Sequence, residues 1–380
     1  MARIKRGKIV MIIIIVVFVF FGGVFLWLSY APQFGGAITE KYKERYRNTP
    51  HYKGDQFVNT KKIESHIKFS FKDFREGIGE LISPSNVTKP KSNLQINAMD
   101  SMSLANHRKG SRLFWFGHST LLLQTGTKNI LMDPMFGEVP SPVSWVGTSR
   151  FNTELPIEIE KLPKIDAVVI SHDHYDHLDY GSILKLKDKV KMFYVPLGVG
   201  VHLERWGVNK ERIVELDWWD SVVEDGVAFR CMPSQHFSGR KVNTNNSTLW
   251  CSWIIQSEEA NVYFSGDGGY STHFKQIGEK YGPFDIALVE CGQYNEKWPY
   301  IHMFPEQSVQ AGIDVQAKVI LPIHWGAFSL SQHDWNEPVK RFVEEANRLK
   351  ANYVIPFIGE SVDIQPPNET KQNIEWWKKL

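Results

Sequence analysis

The pattern of apolar and polar positions changes three times along this chain. From Ile9 to Leu28 there is no charged residue, and at roughly twenty residues the run is long enough to span a hydrocarbon core as a helix. Residues 31–105 are polar, interrupted by Pro32, Pro50, Pro84 and Pro90, and read as an extension packed on a body. One piece of it, Ile67 to Ile82, sets Phe69, Phe71, Phe74, Ile78 and Leu81 among Lys and Glu, which predicts a buried face.

From residue 106 to 365 short apolar runs alternate with turns. Leu113 to Phe116, Leu121 to Gln124 and Asn129 to Met132, separated by Gly117 and Gly126, predict a hairpin-rich sheet that ends at Asp133-Pro134. Further strands are expected at Ala167–Ile170, Lys191–Val195, Ile213–Leu216, Val227–Met232, Leu249–Gln256, Val262–Ser265, Ile286–Glu290 and Val319–Ile323. Helices are expected near Ser182–Leu186, Phe274–Tyr281, Pro305–Gly312 and Pro338–Lys350. The division is thus an anchor over 1–30, an extension over 31–105, a catalytic body over 106–365 and a tail over 366–380.

Composition narrows this picture modestly. Lys and Arg number 44 against 42 Asp and Glu, with no basic stripe, so a nucleic-acid partner is not expected. Cys231, Cys251 and Cys291 are too few and scattered for a disulfide framework and read as core thiols. Arg3, Lys5, Arg6 and Lys8 precede the apolar run, which fits an uncleaved signal anchor better than a cleavable leader. That flank favours an extracytoplasmic body, but Lys41, Lys43, Arg45 and Arg47 on the far side reduce the asymmetry.

The chemistry is concentrated between Val169 and Asp179, which reads VISHDHYDHLD. Three imidazoles and a carboxylate crowded into one turn cannot sit charged and unpaired side by side, whereas a divalent metal makes the crowding favourable. His172 and His174 lie two apart after a strand, so their rings point to one side, while Asp176 and His177 follow the turn to the other. Later strand ends supply more donors: His236 after Met232, Asp267 between Gly266 and Gly268, and His324 after Ile323. Seven ligands divide as His172, His174 and His236 on one zinc and Asp176, His177 and His324 on a second, with Asp267 bridging. A bridging water or hydroxide leaves each ion an open position, as catalysis requires. Asp176 and Asp267 are therefore catalytic as well as ligating. His118 and Asp133 are expected behind the ligands, orienting them through hydrogen bonds. His51, His66, His107, His202, His273 and His333 have no motif around them and are expected at the surface.

The order of these pieces resembles the metallo-β-lactamase superfamily, with its H-x-H-x-D-H signature followed by single His, Asp and His ligands. The stretches FGHSTLLLQ, LMDPMF, IDAVVISHDHYDHLDY, VPLGV, VELDWWD, PSQH, FSGDGGY, FKQIGEKYGPFDIALVE and ILPIHWGAFSL are similar to those of the N-acyl-phosphatidylethanolamine-hydrolysing phospholipases D and their bacterial relatives. The resemblance runs from about Asn106 to Gly359. It implies an α/β fold, the αββα sandwich of two mixed sheets flanked by helices, behind an N-terminal transmembrane helix. It carries over the seven ligands one by one, places Tyr175 near a phosphate-binding region, and places His302 close to the metals, as an acid for the leaving group or a donor to phosphate. It implies two zinc ions, with iron or manganese admitted at one site, and a membrane phospholipid substrate cleaved to phosphatidic acid and an N-acylethanolamine. A homodimer is left open. Ile301 stands where the mammalian enzyme has a polar amide, and the stretch from Trp145 to Leu155 is differently composed, so the lipid itself does not carry over. Two other readings stay open: a metal-dependent lactonase or ester hydrolase of a small phosphorylated substrate, and a non-catalytic metal-binding envelope protein.

Overall fold

The computed structural model describes residues 2–61, 88–241, 244–364 and 375–378. It opens with a helix, α1 (Ala2–Tyr30), whose stretch Gly7–Tyr30 is long and apolar enough to cross a membrane and is not buried against the rest of the protein. A tight turn (Pro32–Phe34), a short helix (Glu40–Tyr46) and a hairpin of β1 (Tyr52–Lys53) and β2 (Gln56–Phe57) follow. The helix buries Tyr46 and the hairpin Phe57 in the body's core, so this segment packs on the body. The stripe from Ile67 to Ile82 lies outside the described residues, as does His66.

The body is two sheets packed face to face. The first has β3 (Ser111–Trp115), β4 (Leu121–Thr125), β5 (Lys128–Met132), β6 (Ile165–Val169), β7 (Val190–Pro196), β8 (Ile213–Leu216) and β15 (Ser361–Asp363), in the order β15-β3-β4-β5-β6-β7-β8. The second has β9 (Ser221–Glu224), β10 (Val227–Met232), β11 (Ser252–Gln256), β12 (Asn261–Phe264), β13 (Ile286–Glu290) and β14 (Ile320–Ile323), in the order β14-β13-β12-β11-β10-β9. Each is mixed: β5, β6, β7 and β8 run parallel, as do β12, β13 and β14, while the remaining pairs are antiparallel.

Side-chain alternation explains why the strands read as unbroken apolar runs. Leu121, Leu123, Ala167 and Val169 face the core between the sheets, whereas Leu122, Val168 and Ile170 face a second cluster outside the first sheet. The helix Tyr180–Leu186 puts Ile183 and Leu186, and the helix Gly200–Arg205 puts Leu203, into that second cluster. With both faces covered, the middle of a strand is apolar on both sides. The helices His273–Tyr281, Pro305–Asp314 and Glu337–Leu349 add Ile277, Val309 and Phe342 to the main core.

Three details depart from the sequence reading. The expected strand at Leu249 begins only at Ser252, because Leu249 and Cys251 donate their backbone N–H groups to Leu197 and Ser171 of the other sheet's loops. The helix Gly200–Arg205 and the strand β9 carry too few apolar positions to announce themselves. Trp376 and Trp377, in the segment taken as a tail, are buried, and Trp376 stacks on Trp325 with centroids 5.5 Å apart. The three cysteines are buried and free, as expected.

Candidate metal centre

Every ligand candidate sits in a loop at one end of the paired sheets. The carboxyl ends of β5, β6, β10, β12 and β14 lead to Asp133, the His172–His177 loop, His236, Asp267 and His324, and His118 sits in the β3–β4 turn. Loops at the carboxyl ends of parallel strands converge, which is where open sheets place their sites. The backbone is held in unusual conformations there: His118, Asp133 and His324 have φ of 54°, 39° and 67°. Non-glycine residues in this region are strained, and such strain concentrates at functional sites. Gly266, beside Asp267, has a φ of 55°, and a Cβ there would come within 2.7 Å of the Cys251 carbonyl oxygen. Only glycine fits at that position.

The donor atoms form two groups that share one oxygen. In the first, His174 Nδ1 lies 2.8 Å from His172 Nε2 and 3.3 Å from His236 Nε2. In the second, Asp176 Oδ2 lies 3.4 Å from His177 Nε2 and 3.3 Å from His324 Nε2. Asp267 Oδ2 is 3.1 Å from both His177 Nε2 and His324 Nε2, and 3.9 Å from both His172 Nε2 and His236 Nε2. The seven residues read as ligands from the sequence therefore all meet. Four donors placed about 2.05 Å from a tetrahedral ion stand about 3.3 Å apart, and the observed separations bracket that value.

The donor set itself fits a cation. His177 Nε2 and Asp267 Oδ1 are buried and make no hydrogen bond. Burial alone would raise the Asp267 carboxyl, but His177 and His324 overcome it and hold it well below the usual carboxylate range. Burial, reinforced by neighbouring imidazoles, holds His172 and His236 well below the usual histidine range, so both rings are neutral with a free lone pair. Among the described residues, the ion-pair partners of Asp176 and Asp267 are all histidines, with no Lys or Arg to neutralise them.

The surrounding hydrogen bonds set ring orientation. Asp133, fully buried, accepts from His177 Nδ1 at 2.7 Å and from the Ser171 backbone N–H at 2.7 Å, which turns His177 Nε2 toward the cluster. His236 Nδ1 donates to the Ile301 carbonyl at 2.9 Å, with the same effect on its Nε2. His118 Nε2 lies 2.9 Å from Asp176 Oδ2, and burial pushes its imidazole down to about 3. Tyr175, within the loop, turns its hydroxyl to the Arg240 carbonyl, donating at 2.7 Å. His302 is half-buried at the mouth with its ring 5.3 Å from that of His324 and 5.1 Å from that of His236.

Two acidic residues here escaped the sequence reading. Glu290, fully buried at the end of β13, accepts from Met303 N at 2.6 Å and Gly268 N at 3.1 Å and meets His302 Nδ1 at 3.2 Å. It ties the Asp267 loop to the His302 loop, and its signal was an acidic residue closing a wholly apolar strand. Asp173, a spacer in the motif, is fully buried and bonded to His202. His202 and His273 are themselves buried, not at the surface as expected, and His202 is held between Gly36 and Asp173, both far away in sequence.

The Beta-lactamase superfamily domain matches residues 128–325. An uncharacterised protein of Mycobacterium tuberculosis is 38% identical over 351 residues, covering 90% of this chain and 91% of that protein. An N-acyl-phosphatidylethanolamine-hydrolyzing phospholipase D of Caenorhabditis elegans is 32% identical over 264 residues, 65% of this chain and 74% of its own length. Among solved structures, an isothiocyanate hydrolase from Delia radicum gut bacteria shares the fold with a TM-score of 0.53 at 20% identity, covering 66% of this chain and 98% of that one. The chain belongs to the metallo-β-lactamase superfamily and is a metal-dependent hydrolase of that family. The fold implies a divalent metal, and the two donor groups are the candidates to hold it.

Proposed function

We propose that this protein is a membrane-anchored dinuclear zinc phosphodiesterase that cleaves phosphatidylethanolamine-type lipids, N-acylated or plain, on the ethanolamine side of phosphorus. The products are phosphatidic acid and the corresponding ethanolamine or N-acylethanolamine. The observation that carries the reading is the single oxygen of Asp267 facing both donor groups. His172, His174 and His236 would hold one ion and Asp176, His177 and His324 the other, with Asp267 within reach of both. Such ions, when bound, acidify water at neutral pH and act as Lewis acids toward a phosphate oxygen.

The chain's own residues do the remainder. Asp133 and His118 keep His177 and Asp176 in ligating orientation. Glu290 engages Nδ1 of His302, which leaves its Nε2 to donate to a phosphate oxygen or to the departing ethanolamine oxygen. Tyr175 is the candidate to line the phosphate-binding region, as the resemblance implies. The helix α1 keeps the cleft beside the bilayer in which such a substrate resides, and the C. elegans relative supports the choice of lipid.

The deciding experiment gives the full-length protein in lipid nanodiscs either N-acylated or plain phosphatidylethanolamine and measures the amine or acylethanolamine released. Wild type should turn over at least one of them while Asp267→Asn does not. Equal release by both proteins, or none from any phospholipid, overturns the proposal.

A further inference from the structure

The residues that leave the membrane helix end on the metal loop. Arg205 donates to the Tyr30 carbonyl at 2.6 Å and the Trp206 indole N–H to the Pro32 carbonyl at 2.7 Å. The next residues are held by two side chains that also face the other way. Gly36 N–H donates to His202 Nδ1 at 3.0 Å, and His202 Nε2 lies 3.3 Å from Asp173 Oδ2. Arg240 donates from one terminal nitrogen to the Gln33 carbonyl at 2.9 Å and from the other to the carbonyls of Asp173 and Leu178, at 2.7 and 2.8 Å.

These contacts reach the backbone that carries the ligands. Asp173 lies between His172 and His174, so its carbonyl and carboxylate fix the backbone that carries both rings. Because Nδ1 of His202 accepts from Gly36, its proton sits on Nε2 and points at Asp173, so the segment's own amide selects the tautomer that the loop uses. His202, Arg240 and Asp173 are all buried, where a hydrogen bond is stronger and an unmade one costly. The approach is closer than any side chain permits: a Cβ on Gly35 would come 2.1 Å from His202 Nδ1, and one on Gly36 2.2 Å from the Val201 carbonyl oxygen.

We infer that residues 32–36 form an arm of the metal loop, with His202 and Arg240 as positioning residues, so that the seating of this segment and the affinity of the centre for metal are coupled. The inference rests on the ligand assignment made above. A glycine pair and two side chains that no ligand motif contains thereby take part in holding the metal loop. The segment after α1 is then a working part of the hydrolase.

The test uses full-length protein in nanodiscs, with zinc titrated against a chromophoric chelator and the visible spectrum of the cobalt-substituted protein as a second readout. Gly36→Ala and His202→Asn should each weaken zinc binding about 10- to 100-fold, the range seen when a ligand loses its orienting partner, and should shift the cobalt bands. The double variant should be no weaker than the worse single one, because both break one relay. Arg205→Ala, which removes only the bond to Tyr30, should stay within about twofold of wild type by the same reasoning. The His202→Asn variant keeps the glycines, so a misfolded Gly36→Ala protein leaves the relay testable. Unchanged zinc affinity and cobalt spectrum in His202→Asn, or fully additive losses, overturn the coupling alone. A wild type that holds no zinc overturns the coupling together with the ligand assignment.

Discussion

Exchanging Asp133 for asparagine changes one charge and almost no volume, and it addresses a single atom of the centre. The carboxylate is fully buried and accepts hydrogen bonds from the Ser171 backbone and hydroxyl and from His177 Nδ1. In Asp133→Asn the amide oxygen keeps the Ser171 backbone bond, and the amide nitrogen takes the position facing Nδ1. The Ser171 hydroxyl can rotate and accept; the imidazole cannot do so while its proton stays on Nδ1. Either two buried N–H groups oppose each other, or the proton moves to Nε2, the atom 3.1 Å from Asp267 Oδ2 that the centre needs bare. A charge-assisted hydrogen bond contributes about 1.5–3 kcal/mol, so zinc affinity at the His177 position should fall about 10- to 150-fold. Competition against a chelator of known affinity measures this, with the step for the His172, His174 and His236 group as an internal reference. An asparagine variant that binds both ions within about threefold of wild type would refute the orienting role assigned to Asp133.

Other substitutions act on other parts of the molecule. Glu290→Gln places an amide N–H either against the Met303 N–H or against both the Gly268 N–H and His302 Nδ1, and should lower kcat about tenfold or more with little change in KM, as read from steady-state kinetics on the lipid substrate. His273, lowered to about 3 by burial and then by Lys61, is neutral in the folded chain, whereas its unfolded imidazole titrates near 6.5. Below pH of about 6.5 the unfolded chain therefore takes up a proton that the folded chain refuses. Stability falls at up to about 1.4 kcal/mol per pH unit toward pH of about 3, and His273→Leu should flatten that slope in urea titrations at pH of about 6 and 5. Trp377, fully buried, should cost about 3–5 kcal/mol of unfolding free energy when changed to alanine, and a loss under about 1 kcal/mol would show that the segment is a dispensable tail after all.

How legible a residue was depended on whether its reason lay nearby in the chain. The strand runs were readable because both faces of β5 and β6 are covered, which leaves an unbroken apolar signature in the local sequence. The His172–His177 cluster was readable because four donors share one turn. Asp173, inside that turn, was passed over as a spacer, since its role depends on His202, a residue 29 positions away that itself looked like a surface histidine. Glu290 looked like the polar end of a strand, and its three partners come from two other loops.

What the sequence determined by itself, then, is chemistry and local form: a membrane-length apolar helix, strands punctuated by turns, and metal-binding residue types at strand ends. These follow from covalent order and short-range periodicity, which need no knowledge of the rest of the chain. The tertiary structure alone decided which of those ends meet. His324 reaches Asp176 across 148 residues, and Gly36 reaches His202 across 166. Both contacts exist because sheet pairing and burial, cooperative over the whole molecule, bring distant loops to one end of the sandwich and seal them from water.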